Sequence, residues 1–265
     1  MAIRSQPDGP AEKRIEVAQM RTIIVVPCYN EANRLDPEAF ERVLRTSDGV
    51  NFLFVDDGST DQTARILESL IDRSSGLAML HSLPNNKGKA EAVRSGVLEA
   101  FRFKPDYIGM WDADLAAPLS EIAGFVEILD KMPRILIVTG ARVKMMGRVI
   151  KRSATRHYMG RLAASLISLA LGRPYYDTQC GAKVFRATDL TQQLFAEPFM
   201  ASWIFDVELL ARLDALSRVH PDCNPSECVY ELPLLEWRHK GGSKIRPSAY
   251  LFSLLDLWSI IRKYF

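Results

Sequence analysis

Asp112 and Asp114 stand two residues apart, directly behind an apolar run at residues 107–111. If that run is a strand, positions i and i+2 face the same side of it, so the two carboxylates can share a divalent cation. Hard oxygen ligands suit Mg2+ or Mn2+, and such an ion keeps waters and takes phosphate oxygens at its remaining positions. The pair therefore points to a diphosphate ligand instead of a closed protein cage. A D-x-D string standing alone is more often a solvated acidic turn, so its neighbours decide its meaning.

Asp56 and Asp57 follow a second apolar run at residues 52–55, with Gly58 permitting a tight turn and Ser59 or Thr60 able to cap the next helix. Capping explains the hydroxyls but not two adjacent acids behind a buried strand. Carboxylates there need hydrogen-bond donors, and a base imide and ribose hydroxyls would supply them. A third polar segment, Pro27-Cys28-Tyr29-Asn30-Glu31, follows the run at residues 22–26. Asn86-Lys87-Gly88-Lys89 opens a helical pattern, where Lys89 is placed either to approach a phosphate or to stay solvated. Neither G-x4-G-K-S/T nor G-x-G-x-x-G occurs, so the P-loop kinase and dinucleotide oxidoreductase readings lose their defining motifs.

These segments need a scaffold that brings them together. Apolar runs at residues 22–26, 52–55, 77–80, 107–111 and 135–138 alternate with helical patterns at 37–46, 61–72, 89–101 and 119–131. That alternation predicts a single α/β domain with a doubly wound, mostly parallel sheet. Ligands of such sheets sit beyond the carboxyl ends of the strands, so the three acidic segments should converge on one rim. After Arg142 come a basic linker, a helix over 153–171, a short segment at 177–185 and a helix over 203–216, read as the second half of the same domain.

The chain has 265 residues, 48% hydrophobic and 25% charged, which excludes disordered, collagen-like and disulfide-scaffold classes. Its net charge of +2 hides a partition: residues 141–173 carry eight basic and no acidic side chains, residues 238–265 carry six basic against Asp256, and the remainder sums to −11. Asp8, Glu12 and Glu16 interrupt the first twenty residues, which do not read as a signal peptide. The apolar stretch 162–171 contains Ser165 and Ser168 and falls short of the roughly 18 residues a spanning helix needs. Cys28, Cys180, Cys223 and Cys228 then read as reduced thiols of a cytoplasmic protein. His220, Cys223 and Cys228 match no common zinc spacing and read as a turn around Pro221 and Pro225.

Taken together, residues 26–31, 55–59, 86–89 and 112–114 resemble the motifs of inverting GT-A glycosyltransferases of family 2. The later segments at 177–185 and 203–210, with Trp237 and Gly242-Ser243-Lys244, are similar to the branch acting on dolichyl or polyprenyl phosphate. The resemblance implies a Rossmann-like GT-A domain with a flexible extension over 1–21, a nucleotide-sugar half over 22–140, an acceptor half over 141–247 and an amphipathic helix over 248–265. It implies that Pro27, Tyr29, Asn30, Glu31, Asp57, Lys89 and Asp112 surround the nucleotide. Asp112 and Asp114 would serve Mg2+ or Mn2+, Arg142, Arg152 and Arg156 would face the acceptor phosphate, and Lys244 and Arg246 would close over it. Cations there make physical sense, because a lipid phosphate approaching a diphosphate is repelled until they neutralise it.

UDP-glucose is the first expected donor, with GDP-mannose or a hydroxyl acceptor as alternatives and a silent nucleotide- or lipid-binding module as the rival of another class. A phosphate oxygen is already ionised near neutral pH and requires no general base. Asp206 and Glu208, two apart on a helix, face different ways, and Asp206 is read as a catalytic-site residue positioning the sugar or a loop. Leu251, Leu254, Leu255, Trp258, Ile261 and Phe265 fall at helical spacing, suiting either a membrane interface or the core. The expected location is cytoplasmic, peripheral on the inner membrane face, with no nucleic-acid partner.

Overall fold

The structure, a computed structural model, describes residues 21–47, 49–151, 154–220, 223–238 and 248–265, with the side chains of 154–159, 162 and 248–252 outside the described set. The expected extension over 1–21, except Arg21, lies outside the described residues, as do Arg152, Lys244 and Arg246.

A seven-stranded sheet forms the centre. It is built from β1 (Thr22–Cys28), β2 (Val50–Asp56), β3 (Ala78–Ser82), β4 (Tyr107–Met110), β5 (Ile137–Ala141), β7 (Lys183–Arg186) and β8 (Val229–Pro233), in the order β3-β2-β1-β4-β7-β5-β8. β6 (Val149–Lys151) and β9 (Glu236–Arg238) make a small separate parallel pair. Every pairing in the large sheet is parallel except those of β7, which runs antiparallel to both β4 and β5. That reversal matters, because the start of β7 then lies at the same rim as the ends of its neighbours.

The central strands are continuous apolar runs because both faces are covered. Ile24, Val26, Phe52 and Phe54 pack to one side with Phe40 of α1 (Pro37–Thr46), Leu67 of α2 (Thr63–Asp72) and Phe125 of α4 (Ile122–Lys131). Ile23, Val25, Leu53 and Val55 pack to the other, against α3 (Lys89–Phe101), α6 (Asp189–Ala196) and α7 (Phe205–Ser217). The start of α1 is fixed by Asp36, whose side chain accepts from Ala39 N at 3.1 Å, with Pro37 preset for a first helical position.

Two helices complete the second half. α5 (Ala154–Leu171) and α9 (Ser248–Tyr264) bury Ile167, Leu171 and Ile260 with Val207 and Leu210 of α7. The C-terminal helix is therefore docked on the protein along one face, while Leu254, Leu255, Trp258 and Phe265 remain exposed. The short α8 (Pro225–Cys228) leads into β8. No helix among the described residues is long and apolar enough to cross a membrane.

Candidate active site

The turn after β4 carries the acidic pair. Trp111, buried against Phe125 with ring centroids 5.3 Å apart, donates its indole N–H to Ala117 O at 2.8 Å, which folds the chain back beneath the two aspartates. Asp114 accepts from Ala116 N at 3.0 Å. Asp112 pairs with Lys89 Nζ at the first residue of α3, so the lysine meets a carboxylate of this chain as well as facing the rim. Burial opposes ionisation of Asp112, but Lys89, Arg142 and Lys183 outweigh it and hold its carboxyl below the usual range. Burial and the neighbouring Asp112 charge push Asp114 the other way. Two hard carboxylate groups at one strand end are of the type that a divalent ion shared with phosphate takes. Among the described residues no group of three or more His, Cys, Asp or Glu side chains could hold a metal, so a caged site is not built here.

The β1 and β2 segments meet beside it. Asn30, at φ +52°, accepts from Thr60 N at 2.8 Å and donates its own N–H to Ser59 Oγ at 3.0 Å; Glu31 N donates to Thr63 Oγ1 at 2.8 Å. Gly58 has φ +64°, and a side chain on it would strike Asn85 Cα at 2.6 Å. Asp56 accepts from Ser59 N at 3.1 Å, and Asp57 from Asn86 Nδ2, Lys87 N and Gly88 N at 3.0, 2.7 and 2.8 Å. The donors that the sequence argument assigned to a nucleotide are thus partly supplied by the protein, and Asp57 holds the 86–88 loop. Arg34, not singled out from sequence, grips Glu31 and lies in electrostatic reach of Asp112 and Asp114. Its i, i+3 spacing from Glu31 was the available signal.

On the other side of the acidic pair lies the segment from Asp177 to β7. Asp177 receives Arg142, at the end of β5, through Nε and Nη2 at 2.6 Å each, and Arg142 Nη2 also reaches Gln179 O at 3.1 Å. Glu231 on β8 anchors the segment's start by accepting from Tyr176 N and Asp177 N, each at 2.8 Å. Lys183, the first residue of β7 and only 1% exposed, donates to Thr178 O, Cys180 O and Asp206 Oδ1 at 3.0, 2.6 and 2.5 Å. Gly181 lies so close to the Asp112 carboxylate that an added Cβ would sit 2.0 Å from its Oδ2. Burial pushes the Cys180 thiol up to about 11, which makes it a packing group and not a nucleophile.

Asp206 and Glu208 diverge as their spacing requires. Asp206 turns to Lys183, whereas Glu208 accepts from Met200 N, Ala201 N, Arg212 and Tyr264 Oη. Of the expected acceptor cations, Arg142 is in the site, and Arg156 sits on α5 with its side chain outside the described set. A cleft between α5 and the 176–179 segment is walled by Arg142 and by Arg161, which stacks 3.8 Å over the Tyr176 ring. Arg161 was not singled out because nothing in its spacing sets it apart from the other seven basic residues of 141–173.

Residues 23–192, which carry the strand-end acidic pair, its neighbouring turns and Arg142, match the model of glycosyl transferase family 2. The chain belongs to glycosyl transferase family 2. Its relatives in that family include a dolichyl-phosphate beta-glucosyltransferase of Trichomonas vaginalis, 31% identical over 92% of this chain and 71% of the relative. The yeast Saccharomyces cerevisiae dolichyl-phosphate beta-glucosyltransferase is 27% identical over 84% and 68%. Among solved structures, glucosyl-3-phosphoglycerate synthase of Mycobacterium tuberculosis, with Mn2+ and UDP bound, superposes with a TM-score of 0.62 at 20% identity, covering 92% of this chain and 81% of that one. This likeness shows the shared GT-A fold.

Proposed function

We propose that this family 2 enzyme transfers glucose from UDP-glucose to dolichyl or polyprenyl phosphate with inversion, leaving a β-linked lipid-phosphate sugar. The observation that carries the reading is the single loop, residues 177–181, with the Asp112 carboxylate against one end and the Arg142 guanidinium against the other. On this reading donor and acceptor phosphates take opposite flanks of one backbone segment. The relatives' names supply glucose and dolichyl phosphate as the first substrates to test.

Asp112 and Asp114 would hold Mn2+ or Mg2+, which when bound offsets charge developing on the departing nucleoside diphosphate. Lys89 adds a positive charge on the same flank. Pro27, Tyr29, Asn30, Glu31 and Asp57 line the rim expected to take the nucleoside. Arg142 and Arg161 neutralise the acceptor, so that its phosphate oxygen approaches the anomeric carbon despite the diphosphate beyond it. That oxygen carries no proton to remove, so no general base is required, and Asp206 pairs through Oδ1 with Lys183.

The lipid acceptor implies contact with a membrane surface. α9 exposes Leu254, Leu255, Trp258 and Phe265 beside Arg262, and α5 exposes Leu166 and Leu169, an apolar and basic combination suited to the interface of an anionic, cytoplasmic leaflet. The test is to incubate the purified protein with Mn2+, dolichyl phosphate and a panel of nucleotide sugars and to identify the glycolipid by mass. UDP-glucose is expected to give the hexosyl product; product from GDP-mannose alone would overturn the donor assignment.

A further inference from the structure

We propose that Lys183 is a positioning residue of the transfer reaction: its buried ammonium sets the backbone of residues 178–181, and Asp206 is its counter-ion. The proposal rests on the function proposed above and adds the part that holds the two halves of the site in register. An ammonium has three N–H donors, and all three are used, on Thr178 O, Cys180 O and Asp206 Oδ1. None is left for a substrate phosphate, so Lys183 acts through what it grips.

The carbonyls of the loop alternate between two cations. Thr178 O and Cys180 O turn to Lys183, and Gln179 O between them turns to Arg142 Nη2. This zigzag fixes the loop without a strand ladder, and the next residue, Gly181, is delivered against Asp112. The strand register explains why the lysine reaches there: Lys183 is paired with Met110 at the end of β4 and with Thr139 of β5, so it stands between the acidic turn and the strand that leads into Arg142. An apolar side chain at this nearly water-free position would pack without the desolvation penalty of an ammonium. What only the cation does is draw two carbonyls and a helix-start carboxylate to one point. Asp206, in the first turn of α7, is well placed for that charge because the helix N-terminus also favours it.

The deciding variant is K183M/D206N, which removes both charges together while keeping side-chain volume. Melting and circular dichroism are read alongside Mn2+-dependent binding of UDP by calorimetry and the kcat of glucosyl transfer. A role in positioning predicts a folded protein with UDP affinity at least tenfold weaker and kcat at least 100-fold lower. Affinity and kcat both within threefold of wild type would overturn the proposal. If that protein does not fold, D206N alone leaves the Lys183 ammonium without its counter-ion at unchanged shape. It is expected to weaken UDP–Mn2+ binding about tenfold with the acid limb of the pH–rate profile unmoved. Unchanged affinity, or loss of that limb as for a general base, would overturn it. UDP binding needs no acceptor, so failure of the wild type to glucosylate dolichyl phosphate would count against the acceptor reading and leave this test standing.

Discussion

Gly181 and Asp112 touch so closely that no side chain fits between them: a Cβ on the glycine would lie 2.0 Å from Oδ2 and 2.4 Å from Cγ of the aspartate. A backbone pressed against a carboxylate fixes the direction in which its oxygens point. The same backbone leads back to Asp177 and Arg142. The geometry of the acidic pair and the geometry of the arginine are consequently not independent.

Gly181→Ala tests this contact. The methyl must displace Asp112 or the loop, an overpacking that costs about 1–3 kcal/mol. Transfer is expected to fall about 100-fold with a raised Mn2+ half-saturation and a melting temperature lowered by several degrees. Normal metal dependence would show that the contact does not set the carboxylate.

Removing the acidic pair should be more severe. Asp112→Asn/Asp114→Asn deletes the two hard oxygens on which the metal reading depends. The double variant is expected to remain folded and lose metal-stimulated turnover beyond detection. Turnover within tenfold of wild type would sink the metal assignment.

Arg142 is partly buried with Asp177 in a two-pronged pair, and lysine cannot reproduce the fork. Arg142→Lys should raise the acceptor KM at least tenfold, with a smaller loss of UDP affinity transmitted through the loop that Arg142 shares with Asp112. Arg142→Ala strands the Asp177 carboxylate and should also destabilise the fold by about 2 kcal/mol, less than breaking a fully buried pair costs. A stable alanine variant with unchanged acceptor KM would contradict both roles.

The exposed face of α9 makes a separate prediction. Leu254→Ser with Trp258→Ser changes residues more than half exposed, at 57% and 59%, so the fold should hold. Cosedimentation with vesicles containing anionic phospholipid is expected to drop at least tenfold, with UDP binding intact. Undiminished sedimentation would place the membrane contact elsewhere.

Cys180 provides a check on burial. With its thiol pushed up to about 11 by burial, Cys180 stays protonated well above neutral pH in the native protein. Iodoacetamide should label Cys180 only after unfolding, or slowly as pH approaches that value. Rapid native labelling would mean that the 177–183 segment opens.

The sequence was most legible where local patterns and topology agree. The runs before Pro27, Asp56 and Asp112 became three adjacent strands, and the convergence of their ends follows from parallel pairing alone. The segment at 177–185 resisted such reading. Lys183 looks like any surface lysine in sequence, and only the antiparallel insertion of β7 between β4 and β5 shows it to be buried. Asp177 and Glu231 were equally silent, since their partners Arg142 and Tyr176 lie 35 and 55 residues away. Asp57 was misjudged in one respect: its donors come from residues 86–88 because a loop 30 residues on folds over it. Short-range spacing carries no signal for such pairings.

The central claim is that an acceptor phosphate, and not a hydroxyl, attacks the sugar. Its most direct measurement compares dolichyl phosphate with dolichol as acceptors, using UDP-glucose and Mn2+ and reading product mass and anomeric configuration by NMR. The account predicts β-glucosyl phosphate product from the first and no detectable transfer to the second. Comparable transfer to dolichol would contradict it.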